Sequence, residues 1–157
     1  MPGSRVQEVQ SLYGKMLAAG KLLQDKVEGL QFMVPKASTI DRHMLEEAAR
    51  EANLEVHIGE ERVYDMMNIA DAAICASGTA TLETALMGVP TLLVYRVNAL
   101  TYWLSKILVH LDSIGLPNII SGHRIMPELW QDEVTPENIE AAVLPWLVDA
   151  AASELSL

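Results

Sequence analysis

Residues 72–95 read AAICASGTATLETALMGVPTLLVY, and this stretch decides the fold class. Two apolar runs of strand length, 72–76 and 91–95, flank a segment with helical character, 79–87, which Gly88 closes in the usual way. Short, continuously apolar strands joined through a helix are typical of a parallel sheet that is buried on both faces. The stretch therefore predicts a βαβ unit.

The same alternation of helix and strand continues on both sides of this unit. The further predicted elements are helices over 6–27, 40–52, 61–69, 99–109 and from Thr135 onward, and strands over 30–34 and 54–58. Residues 111–127 contain several Gly and Pro and are predicted to form a loop, with one short strand at most. No internal repeat or linker divides the 157 residues, so the sequence predicts a single α/β domain.

The acidic composition argues against two classes of binding partner. The formal net charge is −10, from 11 basic and 21 acidic side chains. Such a chain is not expected to bind nucleic acid, which requires basic side chains at the phosphates, or to attach to an anionic membrane by charge alone. The longest apolar stretch, near 100–109, is shorter than the roughly 20 residues that a membrane-spanning helix needs.

The cysteine content indicates a reducing compartment. Cys75 is the single cysteine, so the chain cannot form an internal disulfide, and we expect a cytoplasmic protein. Because Cys75 lies within an apolar run, it is predicted to be a small buried side chain and not a nucleophile.

The first segment that could bind a ligand is PGSR at 2–5, directly before the first predicted helix. Gly3 would let the backbone approach a ligand closely, Ser4 could cap the helix, and Arg5 could bind a phosphate beside the positive end of the helix dipole. The alternative is an ordinary helix cap with a solvated arginine, and spacing alone favours that alternative.

The second segment is SGTATLE at 77–83, between a predicted strand and a predicted helix. Ser77, Gly78 and Thr79 could offer hydroxyl and backbone N–H groups to a phosphate at the helix N-terminus. Glu83 follows one turn later, where a carboxylate could bind vicinal sugar hydroxyls. The alternative is a structural cap, with Thr79 as the capping residue.

A third set of polar residues follows the last strand of the βαβ unit. Arg96 stands at the end of that strand, Trp103 lies on the next predicted helix, and Asn118 precedes two isoleucines. Together they could line a cleft and contact a ligand there. Taken one at a time, each is better explained as a structural or surface residue.

In combination, these motifs resemble the C-terminal domain of the lipid-A-disaccharide synthases. The motifs that follow one another as in that family are SGTATLE at 77–83, VYR at 94–96, LTYWL at 100–104 and LPN at 116–118. The segment PGSR at 2–5 resembles the family's phosphate loop. The resemblance covers nearly the whole chain. Because these enzymes are inverting glycosyltransferases of the GT-B type, it implies the C-terminal half of a GT-B fold, a Rossmann-like parallel sheet with helices on both faces.

The resemblance also implies a reaction. The family transfers 2,3-diacylglucosamine from its UDP derivative to lipid X, which is 2,3-diacylglucosamine 1-phosphate, and releases UDP in lipid A biosynthesis. No metal or other cofactor is implied, because an arginine and oriented N–H groups can stabilise the charge on the departing diphosphate.

The same resemblance assigns roles to individual residues. Gly3, Ser4 and Arg5 would contact the donor phosphate, and Glu83 would hold the ribose of UDP. Arg96 is included among the donor-binding residues. The predicted diphosphate cradle consists of Ser77, Gly78, Thr79 and Ala80. The two candidates for a direct part in catalysis are Asn118, which would lie near the same cleft, and Arg5.

Two parts of the family's pattern have no counterpart in the sequence. These are the N-terminal acceptor domain and the apolar strand that precedes PGSR, since Met1 stands where that strand would end. We therefore expect residues 1–157 to be the donor-binding domain only, inactive on its own, with the first strand of its sheet missing.

Several alternatives stay open. The chain could be one subunit of a split enzyme whose acceptor domain acts in trans, or a non-catalytic module that forms a homodimer or larger oligomer through unpaired sheet edges. It could also belong to another UDP-sugar enzyme of GT-B form, and the full-length family leaves open a peripheral contact with the inner membrane.

Overall fold

The computed structural model describes residues 1–60, 62–76, 78–96 and 116–149. In chain order the elements are α1 (Val6–Gln24), β1 (Met33–Pro35), α2 (Arg42–Glu51), β2 (His57–Gly59), α3 (Val63–Asn68), β3 (Ala73–Ala76), α4 (Thr79–Leu86), β4 (Thr91–Tyr95), α5 (Leu116–Ser121), β5 (Glu128–Trp130), a 3-10 turn (Gln131–Glu133) and α6 (Pro136–Val148). The predicted helix over 99–109 lies outside the described residues.

The strands form two parallel sheets. Strand β1 pairs with β2, and β4 lies between β3 and β5. All three pairings are parallel, so the strands of each sheet end at one common edge, where their loops lead into the following elements. The prediction of an α/β fold with a parallel sheet is confirmed.

Helix α1 packs against both sheets because it has two apolar faces. The face that packs with β3, β4 and α6 carries Leu12, Met16, Ala19 and Leu23. The face that packs with β1 and α2 carries Val9, Tyr13 and Leu17. Gly20 lies on this second face, where an added Cβ would come within 2.8 Å of Leu54 and 3.2 Å of Phe32. The absence of a side chain at Gly20 therefore lets α1 approach the β1–β2 side closely.

The three-stranded sheet is covered on its opposite face as well. Cys75, Leu93, Tyr95 and Met126 form a separate buried cluster there, and Ala80 and Ala85 of α4 pack against it. Strand β4 is buried along its whole length. Cys75 is fully buried, as predicted.

The region predicted as a loop over 111–127 contains a helix instead, α5. Pro117 stands in its first turn, where a missing N–H is tolerated, and Gly122 follows its end with a φ of +71°. In these positions Pro117 and Gly122 mark the two boundaries of a helix and not a loop. Strand β5 follows at Glu128–Trp130, just beyond the predicted loop.

Side-chain caps begin two of the helices. Asp41 caps α2 by accepting a hydrogen bond from His43 N–H at 2.9 Å, and Thr135 caps α6 by accepting from Asn138 N–H at 3.2 Å. Strand β1 begins three residues later than predicted and includes Pro35. No helix in the described part of the chain is long and apolar enough to cross a bilayer.

Candidate functional site

The two predicted phosphate loops meet at the carboxyl end of β3. The Met1 carbonyl accepts a hydrogen bond from Ala76 N–H at 2.9 Å, and the Met1 amino group donates to the Ile74 carbonyl at 2.7 Å. A Cβ added to Gly3 would lie 3.6 Å from the Cβ of Ala76. The PGSR loop is thereby fixed beside the residues that lead from β3 into the second loop.

Gly3 is required at its position by backbone geometry and by space. Its φ is +109°, and an added Cβ would lie 2.7 Å from Oε2 of Glu8. A side chain at Gly3 would therefore be strained and would displace the Glu8 carboxylate. The close contact at Gly3 is with Glu8 of α1, and its predicted approach to a ligand stays a prediction.

The start of α1 differs from the predicted arrangement. Arg5, and not Ser4, occupies the capping position, and its N–H donates to Oε2 of Glu8 at 3.4 Å. Glu8 accepts from this N–H because its carboxylate folds back over the first turn. The Arg5 side chain has no acceptor atom, so it cannot itself cap the helix. The Arg5 guanidinium lies 3.5 Å from Oε1 of Glu8 and its side chain is 82% exposed. Arg5 is thus free to turn toward an anion, with Glu8 as its competitor.

The second loop enters α4 through Gly78. Its φ is +131°, and it is the capping residue of α4, so Thr79 begins the helix instead of capping it as the structural alternative had it. Thr81 stabilises the turn because its hydroxyl donates to the Gly78 carbonyl at 2.7 Å. Gly78 and Thr79 are exposed and Ala80 is half-buried, so the first turn of α4 is open to solvent. Ser77 lies outside the described residues.

This first turn can hold an anion. The leading N–H groups of an α-helix have no acceptor within the helix, and the helix dipole adds partial positive charge at the same place. A diphosphate at this turn would accept hydrogen bonds from the N–H groups of Thr79 and Ala80 and lie close to the PGSR loop.

Glu83 lies one turn further along α4 and is held by a residue from another element. Its Oε1 accepts a hydrogen bond from the Tyr64 hydroxyl at 2.9 Å. The hydrogen bond to Glu83, together with its negative charge, raises the pKa of Tyr64. Tyr64 was not found from the sequence, because nothing in a spacing of 19 residues links it to Glu83.

Arg96 lies directly after β4 and is exposed. A second basic residue, Lys15 of α1, lies near it: burial lowers the pKa of Lys15, and the charge of Arg96 lowers it further, against an opposing effect of Asp132. Lys15 donates to the Val134 carbonyl at 2.6 Å. Of these two basic residues, only Arg96 was predicted. Trp103 lies outside the described residues.

Asn118 is buried, and its amide is used within its own loop. Its Nδ2 donates to the Met126 carbonyl at 2.8 Å and to Oε1 of Glu128, while its Oδ1 accepts from the N–H groups of Ile125 and Met126 at 2.8 Å each. Trp130 donates to the other carboxylate oxygen of Glu128 at 2.9 Å. Asn118 thus fixes the path from α5 to β5, and its predicted part in catalysis stays a prediction.

Comparison with known proteins identifies the family of the chain. The family model described as lipid-A-disaccharide synthetase matches residues 1–155. The chain belongs to this family. It is 42% identical over 153 residues to the lipid-A-disaccharide synthase of Geobacter metallireducens, covering 98% of this chain and 40% of the relative. The Geobacter sulfurreducens synthase is 39% identical with the same coverage, and that of Erwinia tasmaniensis is 36% identical, with 100% and 42% covered.

Membership of the lipid-A-disaccharide synthase family confirms the resemblance found in the motifs. The chain spans only about 40% of the length of the Geobacter synthases. In the described part of the chain, no three His, Cys, Asp or Glu side chains lie together as metal ligands would. The roles assigned to individual residues stay predictions.

Proposed function

We propose that this chain forms the donor-binding half of a lipid-A-disaccharide synthase and holds a UDP-sugar at the carboxyl end of β3. The observation that carries the proposal is the junction of the two phosphate loops, made by the hydrogen bond between Met1 and Ala76. A parallel sheet offers its ligand site at this edge, where loops lead into helix N-termini.

The diphosphate lies at the first turn of α4. The N–H groups of Thr79 and Ala80 donate to it, and Gly78 lets the chain turn into the helix without a side chain in the way. Arg5 reaches the same phosphates from the other loop after leaving Glu8, with which its exposed pairing contributes little.

Glu83 binds the two ribose hydroxyls. A carboxylate can accept from both hydroxyls of a vicinal pair, and the hydrogen bond from Tyr64 fixes the orientation of the carboxylate before the ligand arrives. This arrangement distinguishes a nucleotide from inorganic diphosphate, which has no hydroxyls to offer.

In the complete reaction, 2,3-diacylglucosamine passes from UDP to lipid X. Bond breakage leaves negative charge on the UDP diphosphate, and Arg5 with the α4 N–H groups stabilises that charge more in the transition state than in the ground state. Acceptor binding belongs to the part of the synthase beyond the 40% that this chain spans. The chain thus supplies leaving-group stabilisation.

Calorimetric titration of the chain with UDP tests the proposal. We expect saturable binding, weakened about tenfold or more in Glu83→Gln, because the hydrogen bond to an ionised acceptor contributes roughly 1.5–3 kcal/mol. Tyr64→Phe, which removes only the orienting hydroxyl, should weaken binding less. Glu137→Gln, on the exposed first turn of α6, is the matched control and should bind like the parent. Absence of heat at millimolar UDP would overturn the proposal.

A further inference from the structure

The peptide group between Ser4 and Arg5 is held from two opposite sides. Its carbonyl, which belongs to Ser4, accepts a hydrogen bond from the Thr39 hydroxyl at 2.5 Å. Its N–H, which belongs to Arg5, donates to Oε2 of Glu8 at 3.4 Å. The carbonyl and the N–H of a trans peptide lie in one plane and point in opposite directions. Thr39 and Glu8 together therefore fix the orientation of this plane.

The orientation of this peptide matters for the Arg5 side chain. Arg5 precedes α1 in an extended conformation, so the hydrogen bonds of the helix do not by themselves fix the peptide before it. The Arg5 side chain is 82% exposed, and its ion pair with Glu8 at 3.5 Å restrains it little. The held peptide thus determines the direction in which the Arg5 side chain leaves the backbone.

Thr39 can serve as a support because its own loop, residues 36–41, is braced internally. Lys36 reaches back across this loop, where its Nζ donates to the Ile40 carbonyl at 2.8 Å. The Ile40 side chain is buried in the core that α1 shares with α2. Asp41 ends the loop as the cap of α2. The backbone around Thr39 is therefore fixed before and after that residue.

The same loop is also tied to the end of β2. Lys36 N–H donates to the Gly59 carbonyl at 2.7 Å, and the Lys36 ammonium lies 3.5 Å from Oε1 of Glu60. The Lys36 side chain is only 8% exposed, so solvent screens this pair less than a surface pair. Loop 36–41 is thus anchored to the β1–β2 sheet by contacts that do not involve the PGSR loop.

The PGSR loop consequently has a support on each side. At Gly3 it passes close to Ala76, which ends β3, since an added Cβ would lie 3.6 Å from the Ala76 Cβ. At Ser4 it is held by Thr39, which follows β1. The loop that carries Arg5 therefore depends on both sheets, and Thr39 provides the hydrogen bond from the β1–β2 side.

We propose that Thr39 is a positioning residue for Arg5, whose guanidinium it directs toward the diphosphate of the UDP-sugar by fixing the Ser4–Arg5 peptide. This inference rests on the proposed function, because it requires a diphosphate at the first turn of α4. Thr39 acts through Arg5 and does not bind the nucleoside, which is the part of the ligand that Glu83 holds. Its hydroxyl should therefore affect the affinity for UDP and not the affinity for uridine.

NMR titrations of the full chain with UDP and with uridine test the inference. Thr39→Val removes the hydroxyl and keeps the branched shape of the side chain. We expect it to weaken UDP binding about three- to tenfold, the range for loss of one hydrogen bond, and to leave uridine binding unchanged. Thr39→Ser, which keeps the hydroxyl, should restore the affinity for UDP. Ser38→Ala removes the neighbouring exposed hydroxyl of the same loop and should bind both ligands like the parent.

A double-mutant cycle shows whether Thr39 acts through Arg5. In an Arg5→Gln background, Thr39→Val should weaken UDP binding no further, because the positioned group is gone. Additive losses, or an equal loss of UDP and uridine affinity in Thr39→Val, would overturn the inference. Unchanged UDP affinity in Thr39→Val would overturn this inference alone and leave the proposed function standing. A parent chain that does not bind UDP would overturn both.

Discussion

At the scale of single residues, the candidate site is organised by side chains that hold one another in place. Glu8 satisfies the backbone at Arg5, Thr81 holds the carbonyl of Gly78, and Tyr64 holds Glu83. The partners of Glu8 and Thr81 lie three residues earlier in the chain, and the partner of Tyr64 lies on another element. The site therefore depends on neighbours that carry no ligand-binding role of their own.

Gly3→Ala should destabilise the chain and weaken UDP binding. The added Cβ would lie 2.7 Å from Glu8 Oε2 at a φ of +109°, so both the backbone and Glu8 must shift. We expect a loss of roughly 2 kcal/mol in the free energy of unfolding, measured by urea denaturation.

Gly29→Ala is the control for this change. Gly29 has a φ of +73° but nothing within 4 Å of an added Cβ. It should lose about 1 kcal/mol through the backbone alone and keep its affinity for UDP. Equal effects of the two substitutions on UDP binding would contradict the role given to Gly3.

At the scale of elements, the loop from α5 to β5 depends on Asn118. Asn118→Ala should lower the free energy of unfolding by roughly 2–4 kcal/mol, because it leaves the buried N–H of Met126 and the partly buried N–H of Ile125 without their acceptor. Glu128, which is 3% exposed, would lose a donor as well. Thermal unfolding followed by circular dichroism measures the effect.

An exposed asparagine provides the comparison. Asn138→Ala removes a hydrogen bond to the Glu133 carbonyl at the surface and should cost less than about 1 kcal/mol. If Asn118→Ala were as mild as Asn138→Ala, the loop would not depend on the Asn118 amide.

The elements also show how far the sequence predicts the structure. The apolar runs that became β3 and β4, and the start of the last helix at Thr135, were predicted because each signal is local. Helix α5 was missed because Pro and Gly mark both loops and helix boundaries, and only the tertiary contacts decide between them. Of the site, the two loops were predicted, whereas Tyr64 was not, because its relation to Glu83 arises from packing.

At the scale of the whole molecule, stability should fall in alkaline solution. Burial raises the pKa of Cys75 from 9.0 to about 11 and that of Tyr13 from 10.0 to about 12. Between about pH 9 and 11 the unfolded chain therefore loses protons that the folded chain keeps, which favours unfolding as pH rises. Below pH 9 the Cys75 contribution is fully present.

The slope of the unfolding free energy against pH measures this effect. Each such group contributes up to about 1.4 kcal/mol per pH unit within its own window. Cys75→Ala should lower the slope between pH 9 and 11, whatever it does to stability at neutral pH. An unchanged slope would mean that the thiol ionises in the folded chain as readily as in the unfolded one.

Helix α1 has a consequence for how the chain folds. The two sheets share no strand pairing among the described residues, yet α1 gives Leu12 and Met16 to one core and Tyr13 and Leu17 to the other. If α1 separates from either core, the apolar side chains of the other core are exposed as well. A single helix thus makes two incomplete sheets one cooperative unit, so that they melt together and not in sequence.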